Sequence, residues 1–163
     1  MCSVYDQLLE SGATEIELVS SRRLNGEMAG VLYPAFLPGA EAVRFVVAGN
    51  FARAFASPSV LVRVSTTAVT ARSGSWWTVL ALVSEGGHLL NAEAIRKKLA
   101  LTDTPSCIAY AKTVRSGVRG YMGVVAPAFD EPGGGVEFWF PPDAVVADTV
   151  SEIPGGRGCD IPK

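Results

Sequence analysis

The alternation of apolar and polar positions is clearest over residues 59–84. Val60, Val62, Val64, Thr66 and Ala68 fall on one face of an extended chain, and Leu61, Arg63, Ser65, Thr67 and Val69 on the other. A period of two in which Val and Thr dominate predicts a strand with one wetter face. The next run, Trp76 to Val83, is apolar at both parities and predicts a strand buried on both sides. The short stretch Ala71-Arg72-Ser73-Gly74-Ser75 joins the two runs. A long antiparallel hairpin is therefore expected at the centre of a β-sandwich.

The remaining chain alternates short strand patterns with Gly/Pro turns. Residues 3–11 read as a short helix capped by Ser3 and stopped by Gly12. Residues 14–20 place Ile16 and Leu18 between Glu15 and Glu17, a strand with a charged outer face. Residues 20–27 read as a loop around Asn25-Gly26. The apolar stretch 28–37 is cut by Pro34, which suits an edge or bent strand. Ala42 to Ala48 reads as a further strand, and 49–58, with Phe51 and Phe55 four apart, as one or two helical turns. Residues 90–101 carry a helical pattern, with Asn91 as N-cap, Glu93 in the first turn and Arg96, Lys97 and Lys98 in the last. Strands follow at 106–114, 118–129 and 136–140, the last stopped by Pro141-Pro142 and preceded by a loop at 130–135. About eight strands with one or two short helices predict an all-β jelly-roll sandwich. The expected organisation is a single domain over 1–150, with an N-terminal helical segment, and a Pro/Gly-rich tail over 151–163 held down by a partner.

Composition adds a reason to look for a partner. The chain is 48% hydrophobic and only 18% charged, against roughly 25% charged residues in an average soluble domain. Apolar surface left over in this way is hidden in a partner, a membrane or an assembly. No run of about 18 apolar residues is free of charges and turn residues, so no membrane contact is expected and self-assembly leads. The net charge of −2 argues against a polyanion-binding chain. Arg22-Arg23 and Arg96-Lys97-Lys98 are the basic clusters, and they are the candidate contacts to nucleic-acid phosphates. The N-terminus lacks the charged and apolar regions of a signal peptide. Cys2, Cys107 and Cys159 show no CxxC spacing, so reduced thiols are expected, with a Cys2–Cys159 pair as the alternative. No metal or cofactor is expected.

Candidate chemistry is sparse. The single histidine, His88, sits beside Gly86-Gly87 in a loop, and neither a G-x-S-x-G elbow nor a phosphate-binding Gly-rich loop is present. Asp130-Glu131 reads as a solvated loop pair. Arg63, Ser65-Thr66-Thr67 and Glu137 resemble the Arg, Ser-Thr and Glu elements of ADP-ribosyltransferase toxins. That family carries the arginine and the Ser-Thr element on different strands, whereas here they share one and are not expected to encircle a nicotinamide. The second glutamate of the family's Glu-x-Glu is replaced by Trp139. Trp76, Trp77 and Trp139 are candidate anchors of a subunit interface.

A second resemblance covers residues 59–128. The runs LVRVSTTAVT and TVLALVSEGG, the turn LTDTPSCIAYAKT with Asp103-Thr104-Pro105, and VRGYMGVVAPAF are similar in order to the coat proteins of small icosahedral plus-strand RNA plant viruses, tymoviruses above all and bromoviruses less closely. The resemblance implies a structural, non-enzymatic coat protein in a virion assembled in the host cytoplasm. Many copies would form a shell and meet RNA through weak contacts, without the basic arm of bromovirus coats. A small β-sandwich that binds a ligand or glycan is the alternative, with the toxin-like ADP-ribosyltransferase third.

Overall fold

The computed structural model describes residues 13–27, 41–49, 51, 60–124 and 136–159. The helix expected over 3–11, the bent stretch 28–37, most of 49–58 and the loop 130–135 lie outside the described residues. The described chain is mostly β. Its strands are β1 (Thr14–Ser20), β2 (Glu41–Val46), β3 (Leu61–Ser65), β4 (Trp76–Val79), β5 (Ser84–Glu85), β6 (His88–Leu89), β7 (Cys107–Val114), β8 (Arg119–Val124), β9 (Val136–Trp139) and β10 (Val145–Glu152). Eight of them form one sheet in the order β1-β2-β8-β9-β4-β3-β7-β10, and β5 and β6 make a separate small hairpin. Every pairing in the sheet is antiparallel. Among the described residues it is accompanied by the short helices α1 (Ser21–Glu27), α2 (Ala68–Arg72) and α3 (Ala92–Lys98), with a 3-10 turn at Leu80–Val83.

The central hairpin is present, but it is shorter than the alternation predicts. β3 ends at Ser65 because Thr67 caps a helix: its hydroxyl accepts from Thr70 N at 3.2 Å, and α2 follows. Ala68 and Ala71 are small enough to bury α2 against Cys107 and Ala109 of β7. Ala68 had read as a strand position and Ala71 as the start of the connecting turn. The second arm likewise stops at Val79, where the backbone coils into the 3-10 turn.

Three further expectations change. Residues 20–27 fold as α1 rather than a loop, since Ser20 Oγ accepts from Arg23 N at 3.2 Å and Leu24 is fully buried. β10 appears where no strand was read, and it pairs with the whole of β7 from Val114 to Cys107. The cysteines are not all free: Cys107 and Cys159 form a disulfide. The segment after β10 is therefore held by its own domain, through that bond and the buried Ile153. Asn91 does cap α3, its Oδ1 accepting from Ala94 N at 2.9 Å.

Two hydrophobic cores position the sheet. One gathers Phe45, Phe51, Trp77, Phe138 and Phe140, with Phe45 and Phe51 stacked at 5.4 Å and Phe138 and Phe140 stacked at 6.1 Å. Burying each such ring contributes roughly 1.5–3 kcal/mol relative to exposure. The other packs Val62, Val64 and Ile108 of the sheet against Ala92 and Ile95 of α3 and against Ile153. The first core lies largely under β2, β8 and β9, and the second under β3 and β7.

Candidate functional site

The two halves of the sheet are joined through β4, which changes partner midway. Its first half pairs with β9, Trp76 opposite Trp139 and Trp77 opposite Phe138. Its second half pairs with β3, Thr78 opposite Val62 and Val79 opposite Leu61. Past that point neither ladder continues, so β3 and β9 diverge on either side of β4. The Thr78 hydroxyl spans the parting by donating to the Val136 carbonyl at 2.6 Å.

A cavity of about 390 Å³ opens at this parting. That volume falls within the roughly 300–1,000 Å³ of small-molecule sites. Arg63, Ser65 and Thr66 line it from β3 and the residue after it, Trp76 and Thr78 from β4, and Glu137 from β9. Leu99, Leu101, Thr102, Asp103 and Pro105, which follow α3, form the remaining wall.

Arg63 stands where the β3–β4 ladder stops and takes over its work. Its Nη1 donates to the Trp76 carbonyl at 3.0 Å, and its Nε donates to the Thr70 carbonyl at 3.0 Å. Two of its five N–H donors are thus committed to backbone, which fixes the guanidinium between the end of β3, the start of β4 and α2. Burial pulls its pKa below the ordinary value, yet arginine keeps its charge. The neighbouring hydroxyls are used locally: Ser65 Oγ lies 2.6 Å and Thr67 Oγ1 2.7 Å from Thr70 Oγ1. Thr67 acts as a helix cap, while Thr66 is exposed at the cavity.

Glu137 is different in kind. It sits on β9 between Val136 and the fully buried Phe138, opposite Gly123 of β8. Burial pushes its carboxyl up to about 8, and among the described residues no cation or hydrogen-bond donor offsets that push. No ion pair joins Glu137 to Arg63, although both line the same cavity. Both residues line the cavity, but the strand registers start the Glu137 side chain from the Trp76–Thr78 face of the sheet and the Arg63 side chain from the Trp77–Phe138 face.

The other sequence candidates are scattered. Trp77 is a core residue, 2% exposed, with its indole N–H donated to the Gly74 carbonyl at 3.1 Å. Trp76 and Trp139 are half-buried and form a row with Tyr121, whose ring stacks on Trp139 at 5.6 Å. Arg22 and Arg23 are exposed on α1. Arg96 is ion-paired with Glu93 on α3, Lys97 is exposed, and Lys98 donates to the Leu82 carbonyl at 3.2 Å. α1 flanks β1 and β2 whereas α3 packs on the β3–β7 half, so the two basic clusters do not share one element or one core. His88 is exposed in the β5–β6 hairpin.

Sequence reading did not include β4 or the 99–105 segment in the site. The usable signal lay in charge: Arg63 and Glu137 each interrupt an otherwise apolar strand. Among the described residues no group of His, Cys, Asp and Glu is arranged to hold a metal, and no helix is long and apolar enough to cross a membrane. Comparison with family models, with curated proteins and with solved structures finds no match.

Proposed function

We propose that the chain is an ADP-ribosyltransferase-like enzyme that binds NAD and breaks its nicotinamide–ribose bond. The observation that carries this reading is that Arg63 of β3 and Glu137 of β9 both line one cavity with no ion pair between them. The shared-strand objection to the toxin resemblance loses force once β4 is included. β4 lies between the other two strands and places Trp76 and the Thr78 hydroxyl on a separate strand of the same cavity.

The chemistry follows from charge. Guanidinium groups match phosphate oxygens, so Arg63 is the anchor for the diphosphate. Trp76 offers an aromatic surface to the nicotinamide ring. Cleavage of the C1′–N bond sends the bonding pair to the nicotinamide, which leaves neutral, and builds positive charge at C1′ as in other glycosyl transfers. An ionised Glu137 stabilises that charge and accepts a hydrogen bond from a ribose hydroxyl. Burial holds Glu137 protonated near neutral pH, and the cationic ring of NAD would favour the ionised form. Water or an acceptor nucleophile then attacks C1′.

The test is NAD consumption by the purified chain, with release of free nicotinamide, compared with Glu137→Gln. Turnover in the parent and its loss in the variant support the enzyme. Binding of NAD without turnover favours a ligand-binding module, and neither binding nor turnover overturns both.

A second reading has support in the mostly β build and in Leu18, Val69 and Val146, which are large apolar side chains left exposed. It is the jelly-roll coat protein that closes an icosahedral shell around RNA, with Trp76, Trp139 and the tail at subunit contacts. Light scattering and electron microscopy of one purified fraction decide it. Uniform closed shells support it, and a stable monomer or dimer across salt and pH overturns it.

A further inference from the structure

The wall of the cavity formed by residues 99–105 belongs to no strand. Toward the sheet it is tied by Ser106 N, which donates to the Ser65 carbonyl at 2.9 Å. Its start is held to α3 by Leu99 N, Ala100 N and Leu101 N, which donate to the Ile95, Lys97 and Arg96 carbonyls, and its far end, at Pro105 and Ser106, is backed by the end of the chain. Ile153 N donates to the Ser106 carbonyl at 3.0 Å, and Arg157 N to Ser106 Oγ at 3.1 Å. The Pro154 carbonyl accepts from Ala92 N, at the start of α3, at 2.7 Å. Gly156 is pressed so close that a Cβ there would lie 2.9 Å from the Pro105 carbonyl oxygen. No residue of 153–159 lines the cavity, so this segment backs the wall and does not plug the opening.

One covalent bond fastens the segment. Cys159 is joined to Cys107, a fully buried residue paired in register with Ser65 of β3. Cys159 itself is partly exposed.

We propose that the Cys107–Cys159 disulfide is a redox-dependent brace for the 99–105 wall, so that the cavity keeps its binding shape in the oxidised chain and loses it on reduction. The role of the cavity as a substrate site rests on the NAD reading above. The reductant is a dithiol. One of its thiolates attacks Sγ of Cys159, the S–S bond breaks, and Cys107 leaves as a thiolate that takes up a proton. The second thiol of the reductant then displaces Cys159, which also ends as a thiol. Two electrons and two protons pass to the protein, and the dithiol becomes a disulfide.

The test uses the full chain in a Cys2→Ser background, oxidised or treated with dithiothreitol, with Cys159→Ser beside it. Amide hydrogen exchange is read over 99–106 and 153–159, and over β2 and β8 as the internal control for folding. The expected result is exchange faster by roughly tenfold or more in both segments on reduction, with the control unchanged. Cys159→Ser should behave as the reduced form whether or not reductant is present. NAD turnover should fall by a similar factor on reduction and recover on reoxidation. Unchanged exchange in the reduced protein overturns the brace, as does exchange that rises while turnover stays constant. Faster exchange with no NAD turnover in either redox state keeps the brace and overturns the enzyme. Turnover that is equal in both states with unchanged exchange keeps the enzyme and overturns the brace.

Discussion

A Cβ built on Gly74 would lie 2.3 Å from Nε and Cζ of Arg63. The guanidinium rests directly on the Gly74 backbone, and its hydrogen bonds to the Thr70 and Trp76 carbonyls hold it there. Any side chain at position 74 must push the guanidinium aside.

Gly74→Ala is therefore expected to disturb the site more than the fold. Arginine is long, so the displaced head can reach water, but two backbone carbonyls lose a charged donor. The cost should be about 1–3 kcal/mol in urea unfolding. Affinity for NAD, measured by calorimetry, should fall by an order of magnitude or more, because the phosphate anchor has moved. Affinity equal to that of the parent would remove Arg63 from the binding site.

Stability should decline as pH rises through neutrality, on account of Glu137. Its folded value of about 8 lies above the ordinary 4.5. Between these values the folded protein holds a proton that the unfolded chain has released. The stabilising contribution is complete below the ordinary value, falls as pH rises, and is lost above about 8. Glu17 and Glu93 are held below 4.5, chiefly by hydrogen bonds from Arg44 and Arg96, so they titrate outside this window. Urea midpoints on either side of the window should differ in the parent and coincide in Glu137→Gln. Coincident midpoints in both proteins would place the carboxyl in water.

Catalysis should show the opposite slope with pH. In the proposed enzyme the ionised carboxylate is the working form, so kcat/KM for NAD should rise and level off above about 8. Glu137→Gln should lose about 100-fold or more in kcat, as expected for a group that meets charge only in the transition state. It should also be more stable than the parent in alkaline buffer, since no charge is then buried.

Gly120→Ala tests the first core independently of any activity. A Cβ there would lie 2.7 Å from Cζ of Phe45 and 2.9 Å from Cε1 of Phe140. Both rings are fully buried among other aromatics and have little room to yield. Overpacking of this kind should cost about 1–3 kcal/mol in thermal or urea unfolding. A cost near zero would mean that the rings repack freely.

The strands at Cys107–Val114 and Val136–Trp139 and the Asn91 cap were legible because local chemistry decides them: β-branched and aromatic runs, a Pro-Pro stop, and an Asn at a helix start. α2 was not legible, because Ala68 and Val69 continue the alternation of β3, and the decision falls to a hydroxyl of Thr67 that accepts from Thr70 N. The disulfide joins positions 52 apart, and no spacing rule selects that pair from three cysteines. The cavity was hidden for a related reason. Arg63 and Ser65 do share one strand, as the alternation predicts, but the change of partners along β4 is a property of three strands together.

That change of partners also sets when the site can exist. β3 and β4 are complete by Val79, but the far side of the cavity is delivered by β9, at Val136–Trp139. During synthesis the first two strands must wait, with the acidic wall still inside the ribosome, until most of the chain has been made. A nascent chain, or one clipped before β9, therefore carries Arg63 without Glu137, and the proposed site is incomplete for want of that strand.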